Sequence, residues 1–218
     1  MGRPGKNIGK LVDSRNPDCD YKYKHPLDSR QKRAPKYLTP EEIQALLRVI
    51  EPPRDLAIFR LAFHHGLRAS EIGMIQMRDY RPGSRPDVDY LVIDRLKGSR
   101  GGDTLLVPAA AVAIRKWIKH RGWSVGPMFI TRQSTPITQQ RLDILMKRYC
   151  AMAGVPREKA HFHALKHTCA TVLLSVFNEN IVQVQRHLGH ASIQSTMIYA
   201  DLTEAANKER SARLKNWR

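Results

Sequence analysis

The sequence predicts a mostly α-helical domain that carries a small antiparallel β-hairpin, the α+β class. Three observations predict this class. Apolar residues recur at spacings of three and four over most of the chain after residue 38. Two short runs of β-forming residues flank a glycine-rich segment. Glycines and prolines separate the periodic stretches and mark where elements end.

The first predicted helix begins after Thr39. Thr39 can cap the helix, Pro40 fits its first turn, and Glu42 stands three residues after Thr39, which completes a capping box. Pro52 and Pro53 stop the helix. Its apolar side consists of Ile43, Leu46, Leu47 and Ile50.

A second helix is predicted over residues 54–65, where Gly66 provides a left-handed cap. Arg68 follows directly, and Ser70 is placed to start the next short helix. The sequence therefore puts Arg68 in a tight junction between two helices.

The hairpin is predicted from strands over residues 90–94 and 104–107, joined by a basic, glycine-rich tip that contains Lys97. A phosphate-cradling nucleotide loop needs its lysine after the glycines and a helix beyond them. Here Lys97 comes first and a strand follows, so the nucleotide-loop interpretation fails. Helical patterns then cover residues 109–120, 138–153, 163–176, 181–188, 192–200 and 203–214.

The charge balance favours a polyanionic partner. The 218 residues contain 37 Lys and Arg against 20 Asp and Glu, a formal charge of +17, which points first to nucleic acid. Residues 1–36 alone hold ten basic residues and four acidic ones. This segment is either a basic arm that lies along DNA or a solvated tail. The sequence thus divides into an arm over 1–36 and a domain over 37–218.

Membrane and secreted classes fit poorly. The longest weakly interrupted apolar run, residues 105–114, is far shorter than the roughly 18 residues of a membrane-spanning helix. No apolar core follows the basic N-terminus, so no signal peptide is predicted. The three cysteines, Cys19, Cys150 and Cys169, are odd in number and unclustered, which predicts a reduced, cytoplasmic protein without a zinc ribbon.

Chemically capable residues collect near the C-terminus. His163 and Lys166 share a helical turn on a face away from the apolar stripe, whereas His167 is interpreted as a packing or hydrogen-bonding residue. His190 follows a glycine at a turn between helices, and Tyr199 comes nine residues later. A tyrosine there would by default be half-buried with a solvated hydroxyl.

Together these residues resemble the catalytic domain of tyrosine recombinases, the phage integrase family. The resemblance covers residues 37–214 and keeps the family's order of motifs. The motifs are Gly66-Leu67-Arg68-Ala69-Ser70-Glu71, Lys97, His163-x-x-Lys166-His167-Thr168, Leu188-Gly189-His190 and Tyr199.

The resemblance implies a site-specific DNA recombinase of prokaryotic, nucleoid-associated type that needs no cofactor, metal or ATP. Tyr199 would attack the scissile phosphate and form a 3′-phosphotyrosyl link, and Lys97 would protonate the departing 5′-oxygen. Arg68 and His190 would bind the phosphate, and His163 would manage the proton of the tyrosine. Glu71 is either a partner of basic site residues or a carboxylate favoured by the helix dipole.

The resemblance also implies double-stranded DNA with specific recombination sites as the partner and a homotetramer on that DNA. Candidate DNA contacts are Arg95, Arg100, Lys32, Arg33 and Lys36. Only about 36 residues precede the catalytic domain, so either the protein works with a basic arm alone or the sequence is a fragment.

One position departs from the family pattern. The second family arginine is Lys166 here, and a lysine offers a point charge where arginine offers a two-pronged grip. The protein is therefore either an active recombinase adapted to lysine or an impaired, noncatalytic DNA-binding relative. A type IB topoisomerase remains a mechanistic rival, since it shares the tyrosine chemistry.

Overall fold

The structure, a computed structural model, describes residues 36–95 and 101–199. Four of the predicted functional residues, Lys32, Arg33, Lys97 and Arg100, lie outside the described residues, as does the predicted helix over 203–214. The predicted fold class is confirmed, because the chain forms helices around one small antiparallel sheet.

The first helix, α1 (Pro40–Arg48), begins as predicted. The backbone amide of Thr39 donates to Glu42 Oε2 at 2.7 Å, and the amide of Glu42 donates to Thr39 Oγ1 at 3.2 Å. This reciprocal pair satisfies two amides that the helix itself leaves without partners. Lys159 Nζ donates to the same carboxylate at 2.8 Å, which fixes α1 against a distant segment of the chain.

The second helix, α2 (Pro53–His65), ends at Gly66, which has a left-handed φ of 58°. A Cβ atom at Gly66 would lie 2.3 Å from Leu188 Cδ2, so glycine is required for space as well as for conformation. The next helix, α3 (Ala69–Met74), begins one residue before Ser70. Its cap is the carboxylate of Glu71, which accepts from the amide of Arg68 at 2.8 Å.

The sheet has three strands in the order β1 (Tyr80–Arg81), β2 (Tyr90–Ile93) and β3 (Gly102–Leu105), all antiparallel. The predicted hairpin is β2 and β3, whereas the two-residue strand β1 has no counterpart in the sequence analysis. Buried Asp89 holds this corner, because it accepts from Tyr80 Oη at 2.6 Å and from Arg115 Nε at 2.8 Å.

Five further helices complete the described part of the chain: α4 (Pro108–Arg121), α5 (Gln139–Met152), α6 (Ala164–Ser175), α7 (Ile181–His187) and α8 (Gln194–Met197). Single 3-10 turns occupy Met77–Asp79, Pro86–Val88 and Arg157–Lys159. The helix predicted over 192–200 is therefore shorter than expected. The other predicted helices that fall within the described residues agree with the structure to within about two residues at each end.

The main core surrounds α2, which packs against α4 and α6. Phe59 of α2 is fully buried and meets Tyr149 and Phe162 edge-on, with ring centroids 5.5 and 5.6 Å apart. A second, smaller apolar cluster lies between α6, α7 and the end of α8, and includes Tyr199. Within 36–95 and 101–199, no helix has the length and apolar character needed to cross a bilayer.

Candidate active site

A cavity of about 610 Å³ brings together five of the six predicted catalytic residues. They come from three separate parts of the chain: the α2–α3 junction, α6 with its cap, and the segments that flank α8. The residues are Arg68, His163, Lys166, His190 and Tyr199, and His161 and His167 line the same space. The sequence prediction that these residues meet is therefore consistent with the fold.

Arg68 reaches the cavity from the cap of α3 and is tied to Glu71. Arg68 Nη1 donates to Glu71 Oε1 at 2.7 Å, and the Glu71 side chain is fully enclosed. Burial works to raise the pKa of Glu71, but the hydrogen bonds from Arg68 and the charges of Arg95 and Arg68 outweigh it and lower the pKa. Glu71 is therefore a charged partner of two arginines, and its helix-cap role coexists with that partnership.

Arg95, one of the predicted DNA contacts, is enclosed and internally bonded in this structure. Only 4% of its side chain is exposed. Its guanidinium donates to the carbonyl oxygens of His65 at 2.9 Å, Gly66 at 3.2 Å and His187 at 3.2 Å, and lies 3.6 Å from Glu71 Oε2. A guanidinium with these internal partners is not presented to a duplex. Arg95 instead holds the ends of α2 and α7 together beneath the site.

Glu71→Ala is expected to destabilise the protein by ~3–5 kcal/mol, because it leaves the buried charge of Arg95 uncompensated and removes a cap of α3. Urea denaturation of the variant and the parent chain measures this change. Glu51→Ala, at an exposed glutamate after α1, is the matched control and should change the free energy of unfolding by less than ~0.5 kcal/mol. Equal stabilities of the Glu71 variant and the parent chain would contradict the bracing role.

Lys166 is more deeply enclosed than its predicted position on a polar face suggests, since only 2% of the residue is exposed. Its Nζ donates to the carbonyl oxygen of Leu188 at 3.1 Å, just before the Gly189 turn. Burial, followed by the positive charges of Arg68 and Arg95, lowers the pKa of Lys166 to about 7. The family-divergent position thus holds a buried amine that is poised between its charged and neutral forms.

His190 is 8% exposed and is positioned by the turn at Gly189, whose φ is 65°. Its Nδ1 lies 2.9 Å from Thr196 Oγ1. Burial and the charge of Lys166 lower the pKa of His190 to about 4, so the ring is neutral near pH 7. A hydroxyl that donates to Nδ1 leaves the single ring proton on Nε2, the tautomer that can donate to a phosphate oxygen.

Tyr199 combines a buried ring with a hydroxyl at the cavity. The residue is 2% exposed, and its ring packs in the cluster that contains Cys169 and Leu188. Its Oη lies 2.7 Å from His167 Nδ1. Burial raises the pKa of the phenol above its ordinary value. The half-buried ring with a solvated hydroxyl that the sequence suggests by default is therefore absent, and the phenol is held by an imidazole.

The ring of His163 contacts the ring of His167, which in turn contacts the hydroxyl of Tyr199. His163 is exposed and occupies the N-cap position of α6, and its ring meets the His167 ring edge-on at 4.5 Å. Among the predicted DNA contacts, Lys36 is described and exposed. Burial and then the charge of Lys36 lower the pKa of His161, which lines the cavity.

Sequence reasoning missed three contributions to this site. His167 was interpreted as a packing or hydrogen-bonding residue outside the predicted site, Thr196 was not singled out, and Arg95 was assigned to DNA. A neutral hydroxyl residue six positions after His190 carries no distinctive signal. The position of His167, beside Lys166 and one helical turn after His163, is the one pattern that pointed to the site.

The model of the phage integrase family matches residues 36–206. The tyrosine recombinase XerC of Ralstonia pickettii (strain 12J) is 30% identical over 191 residues, which covers 78% of this chain and 58% of that protein. XerC of Caldanaerobacter subterraneus subsp. tengcongensis is 31% identical over 188 residues, with 81% and 51% covered. The chain thus spans about half the length of the curated relatives it matches.

Solved structures show the same architecture. The XerH site-specific recombinase, in a pre-cleavage complex with its difH substrate, superposes with a TM-score of 0.66 at 25% identity, over 79% of this chain and 52% of that chain. The XerA recombinase superposes with a TM-score of 0.72 at 21% identity, over 88% and 70%. The second likeness, at its lower identity, supports the fold alone.

Proposed function

Because the chain belongs to the phage integrase family of tyrosine recombinases, we propose that it cleaves and rejoins DNA at specific sites through a covalent bond to Tyr199. The proposal covers the whole protein's activity, its substrate and its site residues. The matched relatives and structures are recombinases, which favours this function over a type IB topoisomerase or a noncatalytic DNA-binding relative.

One observation carries the proposal: cationic and imidazole groups from distant segments surround a phenolic hydroxyl in a single cavity. Arg68 and Tyr199 are far apart in the sequence. Their proximity in the cavity is therefore produced by the fold and not by local sequence. A phosphodiester that enters such a cavity would meet positive groups and N–H donors where negative charge develops during attack.

The phosphate-binding roles follow from the geometry of each group. Arg68 presents a planar guanidinium, already oriented by Glu71, that can donate twice to the non-bridging oxygens. Lys166 supplies a buried charge from the floor of the site, and His190 supplies an N–H held in place by Thr196. Fixed donors of this kind need little reorganisation when the pentacoordinate phosphorus forms.

Tyr199 Oη attacks phosphorus, the bond from phosphorus to the 5′-oxygen breaks, and a 3′-phosphotyrosyl ester results. The free 5′-hydroxyl of another strand can then reverse the step and release the enzyme. Lys97 is the proposed donor of a proton to the 5′-oxygen. The bond energy is conserved in the ester, so the cycle consumes no ATP, and the cations proposed for the site are protein side chains.

Double-stranded DNA is the proposed partner, and a homotetramer on two DNA sites is the proposed working assembly. XerH, a relative by structure, is solved with its DNA substrate. Lys36, Lys32, Arg33 and Arg100 are proposed to contact the DNA backbone. The proposed location is the cytoplasm, at the nucleoid.

The decisive experiment traps the covalent complex. The protein is incubated with a pool of nicked duplexes of random flanking sequence, in which the short 5′-hydroxyl fragment leaves after cleavage and prevents rejoining. Detergent-resistant complexes are recovered, and the DNA-linked peptide is identified by mass spectrometry. The expected link is at Tyr199. A link at another residue, or no covalent complex from any duplex in the pool, would contradict the proposed function.

Binding is expected to depend steeply on salt. If the excess of basic residues binds DNA mainly through phosphates, affinity for a duplex should fall by ~10³ or more between 50 and 200 mM salt. The double change Lys32→Ala and Arg33→Ala should lower the slope of log affinity against log salt by about 2. Fluorescence anisotropy with a labelled duplex measures both. A nearly flat salt response would contradict backbone-dominated binding.

A further inference from the structure

The hydroxyl of Tyr199 has one imidazole partner among the described residues, and it is not the histidine that the family resemblance selects. We propose that His167 is a catalytic residue, which holds Tyr199 Oη through Nδ1 and accepts its proton when the oxygen attacks phosphorus. This inference rests on the proposed function and deepens it. The observation behind it is the 2.7 Å distance between His167 Nδ1 and Tyr199 Oη.

The hydrogen bond between Tyr199 and His167 has a defined donor and a defined acceptor. Burial, followed by the electrostatic effect of the titratable neighbours His163, His161, Lys166 and His190, lowers the pKa of His167 to about 3. The ring is therefore neutral near pH 7. Burial also keeps the phenol protonated by raising its pKa. A neutral imidazole and a protonated phenol at this distance form a hydrogen bond in which the phenol donates, with the ring proton on Nε2.

The position of His167 on a helix, with a neighbouring ring packed against it, suits a residue that takes part in catalysis. His167 lies in the first turns of α6, a 12-residue helix, directly beside Lys166. The edge-on ring of His163 packs against it at 4.5 Å and 83°. Both the helix and this ring limit the orientations that the imidazole can adopt. The acceptor nitrogen is thus fixed on a rigid element, as proton transfer requires.

His163 is less suited to accept the proton directly. It lies at the cap of α6 with an exposed side chain, and its ring faces His167. The ring of His167, by contrast, approaches the Tyr199 ring with centroids 5.7 Å apart. The two histidines therefore have different roles. His167 contacts the nucleophile, and His163 orients His167 from the solvent side.

The proposed step balances in atoms and charge. The bond from Oη to hydrogen breaks as the bond from Oη to phosphorus forms, and the proton passes to His167 Nδ1. The phosphorus–O5′ bond breaks, and the 5′-oxygen takes a proton from the donor assigned to Lys97. Reversal returns the proton from His167 to Oη. Burial is the main cause of the low pKa of His167, and the charges of its neighbours are the second cause. An incoming phosphate brings negative charge that offsets this second cause and so raises the pKa of His167.

The test uses the full chain and a nicked duplex recovered with wild-type protein from the random pool. His167→Asn keeps a hydrogen-bond acceptor near the position of Nδ1 but cannot hold a proton, and His167→Ala removes both properties. Adduct formation should slow ~10²–10⁴-fold in both variants, with unchanged affinity for the duplex. His120→Asn, at an exposed histidine on α4, is the matched control and should react at the wild-type rate.

A second measurement needs no DNA. In ¹⁵N NMR spectra, Nδ1 of His167 should resonate as an unprotonated, hydrogen-bonded nitrogen, and Tyr199→Phe should shift it. Because this spectrum is recorded on folded protein, it also separates a lost contact from a lost fold.

Each outcome has a distinct meaning. A wild-type rate for His167→Asn would overturn proton acceptance by His167, and an unshifted Nδ1 resonance in Tyr199→Phe would overturn the contact. In both cases a wild-type adduct at Tyr199 leaves the proposed function standing. The absence of an adduct from wild-type protein would overturn the proposed function and this inference with it.

Discussion

Tyr199→Phe is expected to abolish the covalent protein–DNA complex and to leave DNA affinity unchanged. The phenylalanine ring can fill the same space in the apolar cluster beside Cys169 and Leu188, because only the hydroxyl is removed. That hydroxyl is the proposed nucleophile, so no other atom of the side chain can form the ester. Gel analysis of detergent-resistant complexes and a parallel anisotropy titration measure the two quantities.

Tyr90→Phe is the matched control, since it removes the hydroxyl of a tyrosine that is 43% exposed on β2. This variant should form the complex as the parent chain does. A covalent complex that survives Tyr199→Phe would place the nucleophile elsewhere and contradict the assignment.

Lys166→Met is expected to slow cleavage while it raises stability. The methionine fills a similar volume but removes a buried cation that lies among Arg68 and Arg95. Loss of one such stabilising group typically slows a reaction ~10²–10³-fold. Replacing a buried charge by a packed apolar side chain can stabilise by ~1–4 kcal/mol. Adduct kinetics and thermal denaturation measure the two effects.

The gain in stability should depend on pH with a defined sign. The pKa of Lys166 falls from 10.5 to about 7 on folding, so protonated lysine weakens the folded state. This penalty is fully present below about pH 7 and fades as the pH rises toward 10.5. The advantage of Lys166→Met should therefore be largest at the acidic end of the range. Lys147→Met, which removes an exposed ammonium group on α5, is the matched control.

The substitution Lys166→Arg tests whether the site needs only a positive charge at this position or has adapted to lysine itself. Arginine keeps its charge at all accessible pH values, so this variant should preserve or raise cleavage, and its rate relative to the parent chain should increase above pH 7. Complete loss of cleavage in Lys166→Arg would show that the site has adapted around lysine. Full cleavage by Lys166→Met would show that no cation is needed at this position.

The elements with local chemical signals were predictable from the sequence. The capping pair of Thr39 and Glu42 and the left-handed residue Gly66 both follow from side-chain chemistry within a few residues. Strand β1 was not predictable, because two residues carry too little pattern and its pairing depends on β2. The meeting of the motif residues at one cavity was predictable through the family resemblance and not through spacing alone.

The environment of each site residue was harder to predict, because it depends on backbone atoms that are distant in sequence. Arg95 is enclosed by carbonyl groups 29, 30 and 92 positions away, which no local pattern encodes. Lys166 is enclosed because the turn after α7 covers it. His167 meets Tyr199 across 32 positions. Periodicity assigned Lys166 and His167 to a polar helix face but could not say what that face packs against.

The three hydrogen bonds from Arg95 to carbonyl oxygens connect the sheet to the helix ends beside the candidate site. Arg95 follows β2 by two residues, and one of its anchors, His187, lies three residues before His190. A displacement of β2 must therefore either break these bonds or pull the ends of two helices with it. A change at Arg95 would therefore be felt at both helix ends at once, because one guanidinium contacts the ends of α2 and α7.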